Sequence, residues 1–406
     1  MLLTVSKRLE FSASRRLFVK DWSAAENLAA FGPEASARYG TGRNYVAYFV
    51  FSGTVDPATG MLMNISEIKE RVGRVLYDGF DHKFLNEDNA AFASVPPTAE
   101  NVAHQLLVAA APLFKDGQAE LVACHLSESE DRSATFYASG ISEANYWFEF
   151  SAARQTMSPA LSSAENERLF GAAASSFGHG HNYRARLTLP GRDAALRRPF
   201  VAYAEISRCL DSLRNELDHK NLNHEVAGLK DQPVTTEILA RYIHRRAAES
   251  VPVQRVRLHE RSDFFAESWQ DGQIFLGFRA PFAAAHRLNS EQLSAEQNAA
   301  LYGKCNNVRG HGHLYVTEAT IGGTLDERSG ALMNFDSLRD GIAAALAPWQ
   351  NKHLDLEMRE FRERPSTGEN IVQSLWPQFD SHLDGCLVRL RLWETANNRF
   401  TLRRVL

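Results

Sequence analysis

The sequence repeats itself three times at an interval of about 135 residues, and this repetition restricts the folds that the chain can adopt. Four short motifs recur in the same order in every copy. They are Phe11–Arg15, Phe150–Arg154 and Phe282–His286; Gly40–Tyr45, Gly178–Tyr183 and Gly310–Tyr315; Asp81–Asn86, Asp218–Asn223 and Gln350–Asp355; and Thr98–Glu100, Thr235–Glu237 and Thr367–Glu369.

The spacing between the motifs is also repeated. The third motif begins 40, 39 and 39 residues after Thr41, His179 and His311 of the second motif, and it precedes the glutamate of the fourth by 19 residues each time. A repeat of this length is the size of a domain and not of a solenoid unit. We therefore predict three domains, covering residues 1–140, 141–271 and 272–406.

Each copy shows the order ββααββ, which is typical of an α+β unit. Alternating strands flank two helical patterns, and the first helix of copy one has apolar residues at helical spacing from Ile65 to Leu76. A single four-stranded sheet has two open edges. Three such sheets closed into a ring have none, so we predict a pseudo-trimeric antiparallel β-barrel with the helices outside.

Composition excludes several classes of partner. The formal net charge is -4, which does not favour nucleic acid or an anionic membrane. Neither an 18-residue apolar stretch nor a signal peptide is apparent, and the four cysteines form no CxxC pair. We therefore expect a cytoplasmic protein without disulfides, in which Cys124, Cys209 and Cys386 are buried in the core.

The segment Leu301–Tyr315 contains the metal-ligating residue types. Residues two apart on a strand point to the same face, so His311 and His313 can converge on one ion. Cys305 precedes them across a polar turn and can fold back over the same site. The alternative is a surface loop with two solvated histidines.

These motifs together resemble the 6-pyruvoyl-tetrahydropterin synthases and the related bacterial 6-carboxytetrahydropterin synthases. The resemblance rests on LYGKCNNVRGHGHLY and WETANN in copy three, GTVDPATGMLMNISEIK in copy one and LDHKNLN in copy two. It implies T-fold domains whose trimeric barrels stack in pairs. It also implies a three-histidine zinc site that eliminates triphosphate from 7,8-dihydroneopterin triphosphate, with a catalytic thiol from one subunit and an Asp-His pair from its neighbour.

Carried onto this chain, the resemblance gives one complete set of functional residues. The zinc ligands would be His286, His311 and His313, and the thiol would be Cys305. Copy three lacks the Asp-His pair, whereas Asp81-His82 and Asp218-His219 are both intact, and either direction of packing gives copy three an intact neighbour. The positions that have lost ligands in the other copies are Arg15, Thr41 and Arg43 in copy one, and Arg154 and Ala173 in copy two.

The predicted roles follow from this set. Three imidazoles leave a coordination position open, as in catalytic zinc sites. Cys305 would withdraw a proton from substrate carbon after activation by an Asp-His pair. Glu369 and Glu394 would anchor the pterin by paired N–H bonds. Glu369 could instead stabilise only the first turn of its helix, and Glu394 could be a solvated strand end.

Three functions remain open from the sequence. The first is the 6-pyruvoyl-tetrahydropterin synthase reaction, a carbon–oxygen lyase activity, which the KCNN segment favours. The second is the 6-carboxytetrahydropterin synthase reaction of 7-deazaguanine (queuosine) synthesis. The third is a non-catalytic pterin-binding or scaffold protein. The expected partners are the pterin triphosphate and, by stacking of two barrels, a second copy of the chain.

Overall fold

The structure is a computed structural model that describes residues 1–115, 117–191 and 199–405. Three copies of one α+β unit follow each other along it. Copy one contains strands β1 (Leu2–Arg15), β2 (Thr41–Gly53), β3 (Lys83–Phe84), β4 (Ala119–Ser127) and β5 (Arg132–Tyr137), and helices α1 (Ala24–Phe31), α2 (Ile65–Gly79), α3 (Leu85–Asp88) and α4 (Ala99–Ala110).

Copies two and three repeat this order. Copy two contains β6 (Ser142–Arg154), β7 (His179–Pro190), β8 (Lys220–Asn221), β9 (Arg255–Arg261), β10 (Phe264–Trp269), α5 (Ser163–Phe170), α6 (Tyr203–Leu217), α7 (Leu222–Glu225) and α8 (Thr236–Ala248). Copy three contains β11 (Ile274–His286), β12 (His311–Gly323), β13 (Lys352–His353), β14 (Leu387–Thr395), β15 (Asn398–Arg403), α9 (Ala295–Tyr302), α10 (Phe335–Leu346), α11 (Leu354–Glu357) and α12 (Gly368–His382).

The twelve long strands close into one antiparallel barrel, as the sequence predicts. Between copies, β5 pairs with β6, β10 pairs with β11, and β15 pairs with β1. Each of the short strands β3, β8 and β13 lies parallel to the first strand of its own copy. The three seams remove the open sheet edges, which is the physical reason for the triplication.

The hydrophobic core lies between the outer face of the barrel and the helices. In β2, Tyr45, Ala47, Phe49 and Phe51 are all fully buried and alternate with side chains that face the lumen. The matching stripe on α2 is Ile68, Val72 and Leu76 at helical spacing. The helices therefore cover the barrel from outside.

The loop between the first two strands of each copy is more ordered than the sequence indicates. It contains the eight-residue helices α1, α5 and α9. Each begins with a capping box, whose N-cap residue is Ser23, Ser162 or Ser294. A buried asparagine in each helix, such as Asn298, hydrogen-bonds the preceding chain. This helix fixes the loop that carries Cys305.

Two further expectations can be compared with the structure. Cys124 and Cys209 are buried, but the prediction for Cys386 is wrong, because that residue lies partly exposed at the turn between α12 and β14. Within the described residues, the helices are all too short or too polar to cross a bilayer.

Candidate metal and thiol site

The histidine triad of copy three is assembled by the pairing of β11 with β12. This antiparallel register places His286 directly opposite His311, and His313 points to the same face two residues further on. The Nε2 atoms of His286 and His311 are 3.1 Å apart. One ligand nitrogen from each of the three rings lies within 4.8 Å of the others. The rings can therefore converge on a single ion.

The surroundings of the triad fit a divalent cation. His286 is fully buried, and its Nδ1 lies 2.9 Å from the carbonyl oxygen of Ser366, which orients the ring. Within the described residues, His311 Nδ1 and His313 Nε2 are buried without a hydrogen-bond partner. Burial, with the neighbouring rings, lowers the pKa of His311 to about 4, so this imidazole is neutral at physiological pH. Neutral imidazoles and unsatisfied nitrogens suit zinc.

Glu394 lies beside the triad without closing it. Its Oε1 is 3.9 Å from the Nε2 atoms of His286 and His313. Asn398 Nδ2 donates a hydrogen bond of 3.0 Å to the other carboxylate oxygen. Alternation along β14 places Glu394 on the same outer face as the buried Leu390 and Leu392. Glu394 is thus held, and not solvated as a free strand end would be.

Glu369 forms the contact between copy three and copy one. It lies in the first turn of α12, and its Oε1 accepts a hydrogen bond of 2.9 Å from the backbone N–H of Leu62. Thr367 and Tyr302 donate to the carbonyl oxygens of Gly60 and Thr59. Burial raises the pKa of Glu369 to about 7, and the field of Glu394 acts in the same direction. The wall facing the site therefore belongs to copy one.

Cys305 lies in the short 3-10 turn that follows α9 and is partly exposed. Its carbonyl oxygen accepts a hydrogen bond from Leu288 N, which ties the turn to the end of β11. Burial and the charge of Glu394 raise the pKa of the thiol, while Lys304 lowers it by a smaller amount. In this arrangement the thiol is protonated at neutral pH, so use as a base requires a further partner.

The two Asp-His pairs have matching geometries on copies one and two. Asp81 and Asp218 each accept a backbone N–H bond from the first strand of their own copy, at 2.9 and 2.8 Å. The imidazoles His82 and His219 contact these carboxylates at 3.0 and 2.9 Å, and their side chains are 84% and 83% exposed. Both pairs therefore project from the surface, and the charges that act on Cys305 come from Glu394 and Lys304 instead.

In copy three the same backbone turn is preserved without the acid and the imidazole. Gln350 accepts the N–H of Ala283 at 3.1 Å, and Asn351 has a φ of 60°, matching 55° at His82 and 57° at His219. The left-handed conformation at this position is thus a property of the fold. The turn itself does not require a histidine, and only copies one and two have an exposed imidazole at this position.

In copy one the place of the metal is taken by an ion-pair network that sequence reasoning missed. The fully buried Arg15 guanidinium contacts Glu34 at 2.8 Å and Glu128 at 2.7 Å, and Glu34 also contacts Arg43 at 2.6 Å. The carbonyl oxygen of Ala35 accepts a hydrogen bond from Arg16, and that of Asn306 accepts the equivalent bond from Arg287. Ala35 and Asn306 are therefore equivalent, and Glu34, one residue before Ala35, is equivalent to Cys305. The sequence feature that could have revealed this network is the acidic residue Glu34 in the loop equivalent to that of Cys305.

In copy two a guanidinium also replaces the first histidine. Arg154 forms a close ion pair with Glu260, which His181 Nε2 approaches at 3.0 Å. His179, His181 and Glu260 still offer ligand atoms within 4.8 Å of one another. Glu237 accepts the N–H of Leu332 in copy three at 3.0 Å, and burial raises its pKa to about 7. Copy two therefore keeps the junction but has a guanidinium at the position equivalent to His286.

The closed barrel of three α+β units and the histidine triad at a junction between copies define a T-fold protein with one unmodified triad per chain. Comparison with known proteins agrees with this class. The 6-pyruvoyl tetrahydropterin synthase family matches the chain three times, over residues 4–139, 144–271 and 276–405. The chain therefore belongs to the 6-pyruvoyl tetrahydropterin synthase family.

Individual relatives match one copy at a time. The 6-pyruvoyl tetrahydrobiopterin synthase of Drosophila melanogaster is 36% identical over 137 residues, which is 33% of this chain and 82% of the relative. The protein of that name from Homo sapiens is 38% identical over 122 residues, covering 30% and 84%. A solved 6-pyruvoyl tetrahydropterin synthase from Caenorhabditis elegans has 31% identity and a TM-score of 0.32, covering 32% of this chain and 96% of that chain.

Proposed function

We propose that the chain is a zinc-dependent 6-pyruvoyl-tetrahydropterin synthase that eliminates triphosphate from 7,8-dihydroneopterin triphosphate. The observation that supports this proposal is the difference between the copies at the histidine triad. The triad His286, His311 and His313 is open beside Glu394, whereas Arg15 and Arg154 occupy the equivalent position elsewhere. Random decay of a binding protein would not leave one copy with every ligand.

The residues of copy three are proposed to have different roles in the reaction. Zinc held by His286, His311 and His313 would supply Lewis-acid stabilisation of charge developing on the substrate's side-chain oxygens. Glu369, whose carboxylate accepts the Leu62 N–H, would also accept N–H bonds from the amino-pyrimidine edge of a pterin. Glu394, 3.9 Å from His286 Nε2 and His313 Nε2, is proposed as the second pterin anchor.

Cys305 is proposed as the base, and its activation is proposed to come from a second chain. The pKa of the thiol is raised by burial, so it needs an imidazolium or a hydrogen-bond donor at close range. His82 and His219 have the required chemistry but are more than four-fifths exposed. A partner stacked on this end of the barrel would bring one of these imidazoles to the thiol.

The same end of the barrel carries an apolar surface that supports stacking. Tyr39, Phe177 and Val308 lie in equivalent loops before β2, β7 and β12 and are 83%, 98% and 78% exposed. Leu314 beside them is 67% exposed. Large apolar side chains gathered at one end indicate an association surface. We therefore propose a dimer of pseudo-trimers joined at this end.

The activity is tested by product analysis after incubation of the zinc-loaded protein with 7,8-dihydroneopterin triphosphate. Triphosphate and 6-pyruvoyl-tetrahydropterin are expected, whereas a 6-carboxy product would assign the queuosine-type reaction. His311→Ala should lose both zinc and triphosphate release. Cys305→Ala should keep zinc and lose turnover. A wild-type protein without metal and without activity would refute the proposal.

The trans arrangement is tested by mixing inactive variants. Chains carrying Cys305→Ala should be mixed, unfolded and refolded with chains altered in Asp81-His82 or in Asp218-His219. If the pair acts from a second chain, the pair whose alteration inactivates the chain by itself should recover activity in mixed dimers with Cys305→Ala, which is also inactive by itself. Recovery in neither mixture, with dimers present, would contradict the arrangement.

A further inference from the structure

The inner face of the barrel forms a second polar region, separate from the metal site. Twelve strands about 4.8 Å apart enclose a lumen of roughly 20 Å between opposing backbones. Side chains alternate between the two faces, so His311 and His313 point outward while Glu318 on the same strand points inward. The lumen is therefore distinct from the pocket that holds the triad.

The lumen is not threefold symmetric in charge. The register of the strands makes Tyr48, Arg186 and Glu318 equivalent, each three residues after the conserved tyrosine of its copy. The neighbouring layer contains His125 from copy one and arginines from the other two copies. Copy one thus provides neutral groups where the other copies provide charged ones.

The carboxylates of the lumen are already engaged by arginines. Glu318 accepts from Arg257 and Arg279 at 2.8 Å and from Arg391 at 2.7 Å. Glu267 contacts Arg389 at 3.0 Å and also contacts Arg257. These networks lie between copies two and three, and Glu143, at the seam between copies one and two, is in turn paired with Arg255 at 3.2 Å.

Two arginines on that side lack an acidic partner. Within the described residues, Arg186 makes neither a hydrogen bond nor an ion pair; its Nε is buried and its guanidinium lies 5.3 Å from the Trp147 ring centre. Arg399 donates only to the hydroxyl of Ser6, at 3.1 Å, and its guanidinium lies 5.4 Å from the Tyr48 ring centre. An unpaired charge inside a barrel is costly, which points to a missing counter-ion.

The positive field converges on one place. Burial lowers the pKa of His125 to about 3, and Arg399, Arg186 and Arg391 lower it further. Arg399 lies 5.4 Å from the Tyr48 ring centre, the Tyr48 ring centre lies 5.8 Å from that of His125, and Arg186 occupies the position equivalent to Tyr48 in copy two. Burial and the neighbouring arginines likewise lower the pKa of Arg186 to about 9.

We propose that the lumen beside His125 binds a small multivalent oxyanion of the phosphate class, held by Arg186 and Arg399. Guanidinium groups present paired N–H donors that match phosphate oxygens, and they remain charged when partly buried. The bound anion would supply the counter-charge that Arg186 and Arg399 lack among the described residues. This site does not depend on the proposed enzymatic function.

The test uses the full-length, zinc-loaded protein and inorganic phosphate as the probe. Isothermal titration calorimetry, with potassium chloride at the same ionic strength as reference, should show one binding event with a Kd below about 1 mM. Arg186→Gln and Arg399→Gln should each weaken it at least about tenfold, the loss expected for a charge-assisted hydrogen bond. The exposed Arg208→Gln on α6 is the matched control and should bind as the wild type does.

Two further variants make the result decisive. Tyr48→Glu places a carboxylate where copy three has Glu318 and should abolish phosphate binding while the fold, monitored by circular dichroism, is retained. Lys304→Gln alters the metal and thiol site and should leave binding unchanged. The proposal is overturned if the wild type binds no phosphate, if Arg186→Gln binds equally well, or if only Lys304→Gln loses binding.

Discussion

Arg154→His is expected to create a second metal site in copy two. Arg154 lies opposite His179 in the β6–β7 pair, as His286 lies opposite His311 in copy three. The ring centres of His179 and His181 are 5.0 Å apart at 83°, and those of the copy three pair are 4.9 Å apart at 83°. The substitution therefore adds the missing third imidazole to a pair with the required geometry.

The energetic consequence differs with and without metal. Arg154 is buried and is ion-paired to Glu260, and removing one member of a buried pair costs about 3–5 kcal/mol. The metal-free variant should lose that much free energy of unfolding. Zinc binds the folded state through the new triad, so saturation with zinc should restore most of the loss.

The assay combines metal analysis with unfolding. After dialysis, the zinc bound per chain, measured by mass spectrometry, should double relative to the wild type, and chelator should lower the unfolding free energy of the variant more than that of the wild type. Arg15→His in copy one is the control, because its neighbours Thr41 and Arg43 cannot complete a triad. Unchanged zinc content in Arg154→His, with the fold intact, would refute the geometric reasoning.

Three further predictions concern stability. Burial raises the pKa of Glu237 to about 7 in the folded protein, against 4.5 for an ordinary glutamate. The unfolding free energy should therefore fall by about 3 kcal/mol as the pH rises through this range. Glu237→Gln keeps the acceptor for the Leu332 N–H and should remove this pH dependence in urea unfolding. Gly73→Ala, in a helix with no atom within 4 Å of the new Cβ, should raise the melting temperature by a gain of about 1 kcal/mol. Gly368→Ala should lower it through a loss of about 1–3 kcal/mol, because the Cβ would lie 2.0 Å from the Phe400 ring; equal effects at the two glycines would contradict the packing.

Much of the fold and the grouping of the three histidines can be predicted from the sequence, because both depend on local order. The repeated spacing defines the units, and alternation along β12 places His311 and His313 on one face. His286 aligns with them through its own motif. The family resemblance and the geometry of the triad then lead to the same residues.

The remaining features depend on how the copies meet. The sequence leaves the packing direction open, and the Leu62 N–H bond to Glu369 shows that copy one faces the site of copy three. Glu34 escaped notice because copy one has one more residue in its loop, which hides its equivalence to Cys305. The presence of Arg186 and Arg399 in one lumen requires the closed ring, which no single repeat contains.

The seam between β1 and β15 has a consequence for synthesis on the ribosome. Ser6 and Arg399 are hydrogen-bonded although they are 393 positions apart, so the outer edge of β1 stays open until copy three has emerged. Open strand edges invite pairing with other nascent chains, and charged side chains discourage it. Lys7 and Arg8 hydrogen-bond Asn398 and Asn397 in the folded barrel. Before copy three is synthesised, their charges would discourage other strands from pairing with the open edge of β1.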